Sequence, residues 1–96
     1  MHIEPVEIYS DATNRAVLRY PGRHFPGVLI QGDSLSVLCG VADDLCHKVK
    51  GEIDAESFDA LLELRDTLHA YLTHYKVVLG EHNIPLPFND VPHWLR

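Results

Sequence analysis

Apolar positions in the first third of the chain follow the two-residue period of strands. Over Ile3–Tyr9, Val6 and Ile8 alternate with Glu7 and Tyr9, and the turn-rich run Ser10-Asp11-Ala12-Thr13-Asn14 follows. In the next run, Ala16, Leu18 and Tyr20 share one face and Val17 and Arg19 the other, until Pro21-Gly22 ends it. Beyond Pro26-Gly27, Val28-Leu29-Ile30-Gln31 is apolar without alternation. That pattern predicts a strand central in its sheet or covered on both faces.

The period then changes to that of helices. Asp33 or Ser34 is placed to cap a helix over residues 34–50. Its stripe is Leu35, Leu38, Ala42, Leu45 and Val49, flanked by Cys39 and Cys46, with Gly51 beyond the end. A second, longer helix is predicted over 54–79. Asp54 is its N-cap, Ile53 and Phe58 stand at staple positions, and Leu61, Leu64, Leu68, Leu72, Tyr75 and Leu79 form its stripe before Gly80. Residues 81–96 carry Pro85, Pro87 and Pro92 among Ile84, Leu86, Phe88, Val91, Trp94 and Leu95. Prolines forbid a helix there, and so apolar a segment should lie across the core or dock on another chain. The expected fold is a single two-layer α+β domain over 1–96. A small, mostly antiparallel three-stranded sheet in 1–31 is packed by two antiparallel helices, with an extended C-terminal tail.

Composition adds limits. The 96 residues are 46% hydrophobic and 23% charged, ordinary for a globular domain. No apolar run approaches the roughly 20 residues of a membrane span. The start Met1-His2-Ile3-Glu4-Pro5 does not read as a signal peptide, so no membrane is expected and the cytoplasm is the expected compartment. Cys39 and Cys46 fall two turns apart on one helix, too far to bridge, and read as buried thiols. The net charge of −6 is uneven: residues 43–66 hold eight acids against three bases, whereas 1–42 hold four against three. An acidic surface disfavours nucleic acid and suits a basic protein partner.

The candidate chemistry is sparse. Asp44-x-x-His47 and Asp66-x-x-His69 have the spacing of metal-ligand pairs in helix bundles. The first pair points away from the apolar stripe, and the other carboxylate helices of such a site are missing, so no metal is expected. His24, Asp33 and Ser34 are the residue types of a hydrolytic triad, but Ser34 lacks the nucleophile elbow and no catalytic residue is assigned. No cofactor is implied. Arg19, Arg23, His24, Gln31 and Asp33 form the candidate small-ligand site, an anion being the natural guest of two arginines near a helix start. The competing reading ties Asp33 to Arg19, Arg23 or Arg65 structurally. Arg65 lies near the inner stripe and requires Asp33, Gln31 or Glu7 as partner, or else a route to the surface.

The string Pro21-Gly22-Arg23-His24-Phe25-Pro26-Gly27, with Gln31-Gly32-Asp33-Ser34-Leu35 leading into the helix, resembles a group of small single-domain bacterial proteins of uncharacterised function. The likeness runs from about Glu7 to Ala42 and implies no activity or site residue. In size and charge the chain is also similar to immunity proteins. The expected function is a non-enzymatic protein-binding or self-associating module, possessing an acidic helical face and an apolar tail. Asp43, Asp44, Glu56, Asp59, Glu63, Phe88 and Trp94 are its expected contacts, with a protein partner or a second copy as homodimer. The alternative is a ligand or enzymatic site around Arg19–Ser34.

Overall fold

Three strands precede two helices in the computed structural model, which describes residues 1–90. Strands β1 (Glu7–Ser10), β2 (Ala16–Arg19) and β3 (Gly27–Leu29) form an antiparallel sheet in the order β1-β2-β3. Helices α1 (Gly32–Val49) and α2 (Ala55–Glu81) complete an α+β fold. The chain divides into two compact units, one over Met1–Gln31 and one from Gly32 onward.

Within the sheet, Ile8 faces Leu18 across β1 and β2, and Val17 faces Val28 across β2 and β3. Asn14 turns the first hairpin at φ 60, and Arg15 N–H donates to Ala12 O at 3.1 Å. Asparagine tolerates that left-handed geometry. The second connection begins with a turn closed by Arg23 N–H on Tyr20 O at 3.0 Å. Pro21 fixes its first corner, and Gly22 takes φ 84 at the second, where a Cβ is disfavoured. The apolar run at Val28 is an edge strand, contrary to the sequence expectation: Val28 is 62% exposed and β2 is central. Two short hairpins in succession place the middle strand of the sequence in the middle of the sheet, whatever the third strand's composition.

In the second unit, α1 and α2 run antiparallel. Gly32 lies against Tyr75, Cys39 clusters with Leu72, and Asp43 bonds His69. Helix α1 starts two residues before the expected position, so Asp33 lies in its first turn. There its carboxylate accepts Ser34 N–H at 2.9 Å. The inward stripe is Leu35, Cys39, Ala42 and Cys46; Leu38 and Leu45 turn outward. Both cysteines are buried, as expected of them.

Asp54 caps α2 as expected, its carboxylate accepting Ser57 N–H at 3.0 Å. Gly80 does not end the helix. The end is a Schellman motif two residues later. Asn83 takes φ 57, its N–H donates to Gly80 O at 3.3 Å, and Ile84 N–H donates to Leu79 O at 2.9 Å.

The buried cluster is Leu35, Cys39 and Leu72, with Leu68, Tyr75 and Phe88 packed against it. Phe88 thus lies on the core of its own chain, and Lys76 Nζ donates to Asp90 at 2.9 Å nearby in sequence. The expected anchor Trp94, with the rest of the tail from 91 to 96, lies outside the described residues. Among the described residues, no helix is long and apolar enough to cross a membrane.

Candidate functional site

The polar residues of the sheet form a network on one β pair. Glu7 and Arg19 are direct cross-strand partners. Arg19 Nη2 donates to both Glu7 carboxylate oxygens at 2.6 Å, and Tyr9 O–H donates to one of them at 2.7 Å. These bonds favour the charged carboxylate: Arg19 first, then Tyr9, holds Glu7 below its ordinary value. Arg19 and the Tyr9 phenol are both held above theirs by Glu7. An open cleft of about 360 Å³ is lined by Glu7, Arg19, Tyr20, Pro21 and Arg23.

Of the five ligand candidates, Arg19 and Arg23 therefore share a cleft. Gln31 lines a different depression, beside Leu18 and Leu29. His24 stacks edge-on against Phe25, ring centres 4.5 Å apart. Asp33 belongs to α1, bonded to Ser34. Arg19 takes Glu7 as its carboxylate, one of the candidates weighed for Arg65 instead.

The helical unit holds the one carboxylate–histidine pair that crosses elements among the described residues. His69 Nε2 lies 2.9 and 3.1 Å from the two Asp43 oxygens, and the side chains are 15% and 3% exposed. Asp43 was an expected surface contact; it is instead drawn between the helices. The signal lay in the sequence. Once the α1 stripe is centred on Cys39, Asp43 falls one turn further along the same face. Arg65 takes its sequence neighbour Asp66, at 2.8 Å from Nη2, which holds the guanidinium above its ordinary value. A second cleft, of about 280 Å³, opens beside Cys46, His47, Lys50, Phe58 and Arg65. Among the described residues, no three His, Cys, Asp or Glu side chains gather as a metal site.

The remaining expected acids, Asp44, Glu56, Asp59 and Glu63, are exposed. Beside them lies a feature the stripe assignment missed. A helix turns about 100° per residue. Taking Cys39 as inward on α1, Leu38 and Leu45 lie to one side of it, with Val41 nearer the outer edge, and taking Leu72 as inward on α2, Leu64 and Tyr71 are offset in the same rotational sense. In antiparallel helices the same sense means the same flank of the hairpin. Asp43 and His69, offset the other way on both helices, mark the opposite flank. Leu38 is 44% exposed, Val41 59%, Leu45 43%, Leu64 56% and Tyr71 61%. The hairpin thus carries an apolar flank built by both helices, with Glu56, Asp59 and Glu63 along the outer edge of α2.

A family model matches residues 1–88, and the chain belongs to that family, a family of unknown function designated DUF6959. No curated protein and no solved structure matches the chain.

Proposed function

We propose that this member of DUF6959 is a non-enzymatic protein-interaction module that docks through the apolar flank of its helical hairpin. The carrying observation is the flank itself: Leu38, Leu45, Leu64 and Tyr71, from two helices, are between 43% and 61% exposed and fall on one side of the hairpin by helical rotation. Contiguous exposed apolar surface on a folded chain marks interaction sites more often than scattered apolar residues do. The acidic edge of α2 borders the flank and suits steering of an incoming partner. Phe88 packs on its own core, so Leu38, Leu45, Leu64 and Tyr71 take its place as anchors. A small-anion site in the Arg19–Arg23 cleft is the weaker alternative, because Glu7 already engages Arg19 there.

The test is tolerance. A docking surface contributes little to the free chain, so Leu45→Asn and Leu64→Asn should each change stability by no more than about 0.5 kcal/mol. Circular dichroism melts at high dilution measure this, with Leu72→Asn as the contrasting core substitution that unfolds the hairpin. Collapse of helicity in Leu45→Asn and Leu64→Asn would sink the reading, because those leucines would then serve the chain's own core.

A further inference from the structure

We infer that the occupant of the flank is a second copy of this chain, packed face to face about a twofold axis parallel to the helices to make a four-helix assembly. This inference rests on the docking reading above and names its partner.

Heights along the hairpin come first. Gly32 is level with Tyr75, Cys39 clusters with Leu72, and Cys46 shares a cleft wall with Leu62. In antiparallel helices with equal rise, Leu38 then lies level with Tyr71, and Leu45 with Leu64. A twofold axis parallel to the helices lays α1 of one copy over α2 of the other without changing heights. Leu38 meets Tyr71 of the second copy, and Leu45 meets Leu64. Each contact occurs twice, as an isologous interface requires, and the neighbouring helices alternate in direction as in an up-and-down bundle.

Charge selects this axis over the other. By the same rotation the outer edge of α2 carries Glu56, Asp59 and Glu63, whereas on the outer edge of α1 Asp44 is offset by Lys48; Asp66 turns toward the opposite flank. An axis perpendicular to the helices stacks α2 on α2 and brings the two acidic edges together. The parallel axis sends them to opposite sides of the assembly. It also sets Lys48 of one copy beside Glu63 of the other, within roughly two residues of the same height, or about 3 Å. Opposite charges at the rim fix register in this way.

The area is of the right order. The 18 residues of α1 span about 27 Å, and two helices 8–10 Å apart present a face roughly 20 Å wide. That is on the order of 500 Å² in projection, and more as accessible surface, against the ~800 Å² per partner of a standard interface.

Sedimentation equilibrium of the full chain from about 1 to about 500 µM should show a monomer–dimer equilibrium. Leu45→Asp should leave a folded monomer. Lys48→Glu and Glu63→Lys should each weaken dimerisation by about threefold to tenfold, as for rim charges brought face to face with their like. The Lys48→Glu/Glu63→Lys double swap should return it to within about twofold of the wild type. A wild-type chain that stays monomeric across the range overturns the second copy as occupant, while the dilution melts still judge the docking reading separately. A double swap as weak as the two single changes combined overturns the parallel axis.

Discussion

Among the described residues, the sheet and the helical hairpin each join two of their elements through an acid–base pair, and the two pairs are built oppositely. In the sheet, Arg19 and Glu7 approach to 2.6 Å with side chains 34% and 59% exposed. Between the helices, His69 and Asp43 stand at 2.9 Å with side chains 15% and 3% exposed. The shorter bond is the weaker support. Water competes with the sheet pair and screens it, whereas the helical pair is largely shielded from solvent. Burial follows the same division: all the buried hydrophobic side chains among the described residues lie on α1 and α2. Stability is therefore concentrated in the helical hairpin, and substitutions should rank by unit before they rank by residue type.

The largest effect is expected at Asp43. Asp43→Ala removes a carboxylate from a site 3% exposed and should cost up to about 3 kcal/mol, the usual upper loss when a buried hydrogen-bond partner is deleted. That is a large share of the roughly 5–15 kcal/mol that holds a domain folded. Asp43→Asn keeps an acceptor for His69 and should cost less. Urea unfolding of the three chains measures the order. A loss under about 1 kcal/mol for Asp43→Ala would dissolve the contrast between the two units.

Gly32→Ala ranks next. A Cβ at Gly32 would overlap the Tyr75 ring, because the start of α1 passes directly under α2. Tyr75 must yield, and overpacking of this kind costs about 1–3 kcal/mol. Tyr75→Leu in the same chain should recover part of the loss, since it removes the clashing ring atoms. Equal stability of wild type and Gly32→Ala would show that the helices separate there at no cost, which sharpens where the hairpin is tight.

These two sites also show what the sequence discloses and what it hides. Element types were legible from local signals. Period-two alternation marked the strands, Asp54 marked the α2 cap, and Pro21-Gly22 marked a turn. Local signals failed where the outcome depended on a neighbour. Leucine content drew the α1 stripe toward Leu38 and Leu45, but packing centres it on Cys39 and Cys46, whose smaller side chains let the helices approach. That rotation buries Asp43 and uncovers the flank. The β3 run reads as a central strand by composition, yet strand order depends on how short the hairpins are. Gly80 looks like a helix stop, but Asn83 takes the left-handed position because Ile84 can then close the Schellman bond to Leu79. Among the ligand candidates, Arg19 and Arg23 line one cleft. That Glu7 would meet Arg19 depended on strand register, which a bulge between Ile8 and Ser10 also shapes.

The smallest effect belongs to the sheet pair and is best read through pH. Glu7 is held below its ordinary 4.5, by Arg19 first and Tyr9 second. The folded chain therefore binds this proton more weakly than the unfolded chain does. Its contribution is complete above the unfolded value and is lost as pH falls through the depressed folded value. Glu7→Gln removes that contribution. Melting temperatures of the two chains should differ slightly at about pH 7 and converge as pH falls below the depressed folded value, where Glu7 is protonated in both states. A gap that persists unchanged into acid would mean that Glu7 acts through shape and not charge. A gap larger than that of Asp43→Ala at neutral pH would reverse the ranking of the two units, and place the sheet network, exposed as it is, at the centre of the fold's stability.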